Sequence, residues 1–482
     1  MTGPLDGSGP LWGVVLERFE QQAPASVMAR TLLEQAFPAP WLDAVFAQHR
    51  GRQYERTLLF STVVELMMRV AVGLQPSLHA AARQAEPLPV SLTALYDKLK
   101  RTDPDLLGAL VRASAERLGP VLSALGPSPA RLPGYAIRIL DGNHLPASQK
   151  RLKALRGVRG AALPGLAMVV YDPDSGLVTD LVAGEDAYQH ERTLAAPLLE
   201  RAGPGQVWIG DRHFCPGALL RGWAAAGASF VVREHANHPR LRAAGDWHAA
   251  GRTETGRLRE QTITLEPPQE HPPQEHPPQE HPPQAPSGPE QAVTWRRIEL
   301  TLAQPTQAGD RVLRLWSNLP AAVTAAQIAQ AYRDRWRIEG MFQRLEGVLR
   351  SEIPSLGHPR AALLGFGVAL LAYNVLALIE RCAERAHAPD AGDAPKVSLY
   401  HLVLQIRSGY DGLCIALPPE HWAACGPIDP PALAARLLSL ARRIDPARVR
   451  AARRKPKDRT AKPAPTSGPH FSTKTRLAKQ TP

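Results

Sequence analysis

Apolar positions along this 482-residue chain recur at two periods, and the change between them falls near residue 130. Up to about residue 128 the spacing is helical. In Arg56–Leu74 the residues Leu58, Leu59, Val63, Leu66, Met67 and Val70 return every three or four positions, which puts them on one helix face. Ser91–Arg101 opens on a capping serine and closes on Lys98, Lys100 and Arg101, as a helix does. It reads as a packing helix, with a helix entering a DNA groove as the alternative. From Pro133 short apolar runs take over. Tyr135–Leu140 reads as a strand, and Leu166–Tyr171 with Leu177–Val182 as a hairpin turned by Asp172-Pro-Asp-Ser-Gly176. A helix over 191–202, a strand over Gln206–Gly210, a helix over 217–227 and a strand over Ser229–Arg233 follow. Such alternation predicts an α/β layer whose ligands gather at strand ends.

Residues 235–318 interrupt this order with arginine-rich, strand-like pieces, among them Arg296–Leu302 and Arg311–Trp316. Inside them a proline-rich loop, 266–289, carries Glu-His-Pro-Pro-Gln three times in tandem over 270–284. Paired prolines remove amide donors and forbid helix interiors, so the loop is expected to be extended and solvated. Its three histidines read as repeat expansion in a surface loop, with weak metal binding as the alternative. Farther on, Ala361–Ile379 runs nineteen residues without a charge, long enough to cross a bilayer. A helix apolar on all sides is either buried or in lipid; burial against a sheet is the expectation here. The resulting division is a helical N-terminal domain (1–128), a core in two parts (129–234 and 319–385), a β-rich insertion (235–318), a helical region (386–450) and a basic tail (451–482).

Charge adds one thing to this picture. The chain's net charge is +12, and from Arg442 onward thirteen Lys or Arg stand against Asp445 and Asp458, so that the rest is nearly neutral. The tail is expected to be disordered and able to hold phosphates without sequence preference. The four cysteines, Cys215, Cys382, Cys414 and Cys425, are scattered without a Cys-x-x-Cys pair, which speaks against a disulfide framework or a zinc ribbon. No basic start and apolar core open the chain, so no secretory signal is expected.

The chemistry lies in three acidic positions. Asp141 ends the run Ile137-Arg-Ile-Leu, Asp211 ends Val207-Trp-Ile-Gly, and Glu339 lies in Tyr332-Arg-Asp-Arg335-Trp-Arg-Ile-Glu339. At about 3.6 residues per turn one helix would align Tyr332, Arg335, Glu339, Phe342 and Glu346 on a single face. Two strand-end carboxylates with a third on a later helix are what a divalent-metal site for phosphoryl transfer needs. Hard oxygen donors suit two Mg2+ ions, with Mn2+ as the substitute. Asp141 is assigned to both ions, with Asp211 and Glu339 mainly to one each. His213 and Cys215 beside Asp211 are the weaker alternative metal set. Arg335 and Arg212 are candidate phosphate ligands, and Tyr332 a partner for the DNA end or a core aromatic.

These motifs resemble the DDE transposases of the bacterial insertion-sequence IS-four group, whose signature is Tyr-x2-Arg-x3-Glu-x6-Lys. The resemblance covers roughly 130–385 and rests on Asp141, Asp211, Tyr332, Arg335 and Glu339. It departs at the signature lysine, where this chain has Glu346; Arg350, four residues on, is the expected substitute on the same helix face. The resemblance implies a ribonuclease-H-like core with a β-rich insertion between Asp211 and Glu339. It also implies metal-dependent cleavage at terminal inverted repeats, strand transfer into target DNA, and a homodimer in the paired-end complex, with no membrane. The expected place is the cytoplasm, on nucleoid DNA. Trp295 and Trp316, in the insertion, are sheet-packing residues or an aromatic platform for a flipped base. Glu346 motivates the competing reading, a catalytically impaired or silent DNA-binding derivative.

Overall fold

The computed structural model describes residues 10–479 except 52, 54–56, 86–87, 128, 146–151, 158, 236–238, 267–292, 307–308, 354, 389–395, 424–425 and 452–469. The tandem repeat, Cys425 and most of the basic tail lie outside the described residues. The strands, in chain order, are β1 (Ala136–His144), β2 (Ala161–Leu163), β3 (Leu166–Tyr171), β4 (Val178–Gly184), β5 (Gln206–Gly210) and β6 (Ser229–Arg233). They continue as β7 (Leu241–Ala244), β8 (His248–Thr253), β9 (Gly256–Leu265), β10 (Thr294–Leu302), β11 (Val312–Ser317) and β12 (His470–Ser472). Two compact units hold them: Ala130–Asp141 with Glu191–Arg337, and Met1–Pro129 with Gly142–His190 and Ile338–Pro482.

The first of these is a sheet unit. Its strands run in the order β1-β5-β6-β11-β10-β9-β7, with β8 also paired to β9. β1, β5 and β6 are parallel, and from β11 outward every pairing is antiparallel. Parallel neighbours need a crossover, and the helix Gly217–Ala225 supplies it between β5 and β6. Trp223 on that helix stacks on Trp208 of β5, with ring centroids 5.8 Å apart, and Phe230 of β6 meets Trp295 of β10 edge-on at 4.9 Å. Trp295 and Trp316 are both buried in this aromatic core. Neither offers a platform to a flipped base, and the sheet-packing reading stands.

The helical unit is built around Pro359–Ala386. By length and apolarity this helix could cross a membrane. Here it is enclosed by the helices Pro24–Ala36, Phe60–Ala71, Leu92–Arg101, Pro104–Ala124, Leu399–Ala416 and Pro430–Ala441, and touches β4. Burial was expected against a sheet; the neighbours are mostly helices, because the apolar residues run all round the cylinder. Close approach fixes the hairpin β3–β4 to this bundle. A Cβ on Gly108 would come 2.4 Å from the Leu181 carbonyl oxygen, so only glycine lets Pro104–Ala124 lie on β4. Beside it Arg112 pairs with buried Asp180 at 2.9 Å. The helix Leu92–Arg101 buries Leu95 and Leu99 and is capped by Ser91.

One expectation fails at the C-terminus. Residues 470–478 are ordered: β12 pairs parallel to β2, and Ser472 caps the helix Thr473–Ala478. Ser472 and Thr473 are buried. Composition averaged over the tail conceals a short segment with its own cap and an edge strand to join.

Asn374, fully buried in the long apolar helix, holds the first residue of β4 from both sides. Its Oδ1 accepts from the Val178 amide at 2.8 Å, and its Nδ2 donates to the Val178 carbonyl at 2.9 Å and to Ser114 Oγ at 3.1 Å. Asn374→Ala removes these three buried hydrogen bonds and is expected to destabilise the protein by about 2–4 kcal/mol. A matched lowering of the urea midpoint, with unchanged slope, is the measurement that checks it.

Candidate active site

The register of three parallel strands builds the site. Ile139 of β1 lies opposite Ile209 of β5, and Gly210 of β5 opposite Val232 of β6. Counting on, Asp141 aligns with Asp211, and Asp211 with Arg233. Side chains at aligned positions of neighbouring strands share a face, and strands stand about 4.8 Å apart. The sequence thus places two carboxylates and a guanidinium in one row, Asp211 and Arg233 where β5 and β6 end and Asp141 within β1, which runs on to His144. At Gly210 a Cβ would come 2.8 Å from the Phe214 Cβ, so glycine permits the tight turn that follows. Asp211 caps that turn. Its Oδ1 accepts from the His213 amide at 2.7 Å, and the His213 ring nitrogen Nε2 stands 4.0 Å from Oδ2.

Tyr332 and Arg335 reach this row from two helices, not one. Ala325–Arg333 starts on a capping box formed by Thr324 and Gln327 and ends before Asp334; Trp336–Gly347 begins anew. Between them the Arg335 amide donates to the Tyr332 carbonyl at 3.0 Å, and the Arg337 amide to the Asp334 carbonyl at 3.0 Å. These bonds reach back three residues and tighten the chain. Buried Asp334 holds the break, accepting from Arg131 at 3.3 Å and from Arg337 at 3.4 Å. The single continuous face expected from helical spacing is therefore interrupted.

The break does not separate the aromatic and the guanidinium from the aspartates. Arg335 Nη1 lies 3.7 Å from Asp141 Oδ2, with the Arg335 side chain 11% exposed. The same guanidinium hydrogen-bonds the Tyr332 hydroxyl. Burial pushes that hydroxyl's pKa up; the positive charges of Arg335 and Arg233 oppose the shift, and the negative charge of Asp211 adds to it. Asp141, Arg335 and Tyr332 thus form one connected polar group inside the sheet unit, on which Asp211 acts through its charge. Glu339 follows in the first turn of Trp336–Gly347 and belongs, by the division at Ile338, to the helical unit.

Sequence reasoning missed two residues here. Arg233 ends Phe230-Val-Val just as the aspartates end their strands, so the same strand-end signal marks it. Trp336, 58% exposed with its ring 5.6 Å from the Arg335 guanidinium, is an uncovered aromatic beside the site. Arg212 is exposed next to Asp211. Cys215 is buried, and burial pushes its thiol up to about 11. Among the described residues no three His, Cys, Asp or Glu side chains form a metal-holding group.

Arg350 does not lie one turn farther along the signature helix. That helix stops at Gly347. The Arg350 amide donates to the Ala71 carbonyl at 2.7 Å, and its Nη1 to the Gln75 carbonyl at 3.0 Å, so it braces the turn after Phe60–Ala71. Glu346 is exposed and acts on Glu352, whose carboxyl is pushed up to about 8, first by burial and then by the Glu346 charge.

With this geometry in place, comparison with protein families is decisive: a family described as the transposase DDE domain matches residues 132–375, half of the chain. The chain belongs to the transposase DDE-domain family. No curated protein matches it in sequence. The matched span of this transposase domain contains Asp141, Asp211, Tyr332, Arg335 and Glu339, and runs on into the long apolar helix. Membership marks the chain as a transposase by class, an enzyme whose general partner is DNA.

The Glu346–Glu352 pair gives a pH-dependent test at the position where the signature has lysine. A carboxyl with a folded-state pKa of about 8 binds its proton more tightly in the folded than in the unfolded chain. Stability therefore falls as pH rises from about 4.5 through 8. Glu346→Lys replaces repulsion by attraction and is expected to stabilise the protein at pH 8 by about 1 kcal/mol after solvent screening, with the gain fading toward pH 4.5. Denaturation midpoints at the two pH values check this; an equal shift at both would refute the coupling.

Proposed function

We propose that the chain is an insertion-sequence transposase of the IS-four group. In this reading it cleaves DNA at the terminal inverted repeats of its element and joins the freed 3′ hydroxyl to target DNA. The observation that carries it is that Asp141 and Asp211 each stand two positions beyond the paired Ile139 and Ile209 of adjacent parallel strands, with Arg335 3.7 Å from Asp141. The donor set suits hard divalent cations, since both side chains offer only carboxylate oxygens. Asp141 would hold both ions, with Asp211 and Glu339 mainly one each; Glu339 enters on the family's signature. When bound, two Mg2+ ions, or Mn2+ in their place, would supply positive charge to offset the charge of the reacting phosphate.

The chain's own residues do the rest. Asp211 is oriented by the His213 amide, which fixes the direction of its free oxygen. Arg335 holds Asp141 in place and has a planar fork suited to two phosphate oxygens. Tyr332, buried and bonded to Arg335, fixes the guanidinium and has its hydroxyl near Asp211. Arg212 and Arg233 extend the cationic edge along the DNA backbone. Trp336 offers an exposed ring for stacking. The ribonuclease-H-like form of the core follows from the family, and the mixed sheet with parallel β1, β5 and β6 is consistent with it. The protein would work as a homodimer in a paired-end complex, using the C-terminal helices around 396–444, on nucleoid DNA in the cytoplasm and without a membrane. Glu346 supports one second reading, a derivative that binds DNA ends without cutting them.

Mg2+-dependent nicking of a duplex carrying the element's own ends is the expected outcome. Asp141→Ala and Asp211→Ala should each lower the rate far beyond the roughly 10–100-fold that follows loss of an outer-shell partner, with DNA affinity retained. End binding without any cleavage in Mg2+ or Mn2+ would favour the second reading.

A further inference from the structure

The row Asp141–Asp211–Arg233 ends beneath a loop of the insertion. β11 pairs antiparallel to β6, with Leu315 opposite Arg233. The chain entering β11 therefore runs past the carboxyl end of β6. Asp310 lies there, two residues before β11. Its Oδ2 accepts from Arg233 Nη2 at 2.9 Å and from Thr306 Oγ1 at 3.2 Å. The turn around it is built to present this carboxylate. The Thr306 amide donates to the Asp310 carbonyl at 2.9 Å, the Asp310 amide to Thr306 Oγ1 at 3.1 Å, and the Gly309 amide to the Thr306 carbonyl at 2.9 Å. Arg233 holds the Asp310 carboxyl below the usual carboxylate range, and the charge of Arg212 contributes in the same direction. The side chains are 24% exposed at Arg233 and 35% at Asp310, so both face water at the edge of the site.

We infer that Arg212 and Arg233 form a subsite for a backbone phosphate of DNA, and that Asp310 occupies it as an internal anion that the phosphodiester displaces. A carboxylate and a phosphate oxygen compete for the same guanidinium fork. Arg233 and Asp211 both act electrostatically on Tyr332, in opposite directions. A phosphate seated here lies one strand from Asp211, next to the bond to be cut. Asp310 raises the threshold for binding: a duplex must offer a phosphate in the right place to pull Arg233 away. Loose, non-specific DNA is disfavoured more than DNA docked along the whole site. The inference rests on the transposase reading for the identity of the ligand, but not on catalysis.

The test uses the full-length chain and a mixed-sequence DNA duplex, with affinity measured over a range of salt concentrations. Asp310→Asn keeps the size of the side chain and removes its charge. It is expected to tighten binding by about three- to tenfold and to steepen the salt dependence by roughly one counterion. Arg233→Ala should cost little affinity in the wild-type chain, where Asp310 already holds the guanidinium, and should cancel the gain in Asp310→Asn. Asp310→Ala, with thermal melts recorded for every variant, separates this effect from a folding defect. Wild-type affinity in folded Asp310→Asn overturns the inference and leaves the transposase reading intact. No DNA binding by any form overturns both. Tighter binding by Asp310→Asn in a chain that never cleaves supports the subsite while removing the enzyme.

Discussion

The parallel register of β1, β5 and β6 is the constraint on which the site depends. Each strand contributes one candidate site residue just past a run of buried residues, and the register brings those positions into one row. A one-residue slip in the pairing would turn the whole row to the opposite face. The slip is opposed by the packing of the strands themselves. Ile137, Ile139, Val207, Ile209, Val231 and Val232 are all fully buried, and none can rotate outward without exposing apolar area. The core therefore fixes the chemistry: packing energy spent behind the strands sets the spacing of charges at their ends.

Electrostatics then works within that row. Asp141 and Asp211 are like charges on neighbouring strands, an arrangement that repels unless cations stand between or beside them. Arg335 beside Asp141 and Arg233 next to Asp211 in register supply that compensation within the sheet unit. The Arg233 charge is itself offset by Asp310. Cations thus flank the two carboxylates, and the folded protein holds this arrangement before any ion or DNA arrives. Preorganised charge of this kind needs no rearrangement at the moment of reaction.

Much of this was legible in the sequence, and the reasons for the rest are physical. β3, β5 and β6, the hairpin turn and the helix after β5 follow from apolar runs and turn residues, because each is decided within a few positions. The two aspartates were marked by the end of an apolar run, and Arg233 carried the same mark unnoticed, since a strand-end arginine is less distinctive than a strand-end carboxylate. The break at Asp334 was hidden. Helical spacing continues smoothly through 332–346, and only Arg131, some two hundred positions upstream, shows why the chain tightens there. Arg350 illustrates the opposite error: an extrapolated helix placed it on a face that ends at Gly347. The exposed or buried state of Trp295 and Trp316 depends on which strands meet, which periodicity alone does not tell.

Counting arginines overstates the positive surface of this protein. In the sheet unit Arg297 is bound by Glu234 through two hydrogen bonds, Arg296 by Glu260, and both Arg259 and Arg314 by Glu299. Glu299 is buried, so its charge is compensated in place by the two arginines. The arginine-rich look of the insertion thus reflects a network that stabilises its own sheet, where a half-satisfied charge would be costly. What matters for DNA is the smaller set whose partners face water at the end of the parallel strands. The site's affinity for phosphate is set by how tightly its internal carboxylates hold those few cations, more than by the chain's net charge of +12. Such a design makes contact conditional: DNA gains from Arg233 only by outcompeting a carboxylate already in position. Selectivity for a docked over a passing duplex then arises from ordinary exchange of ion-pair partners, without any change of fold.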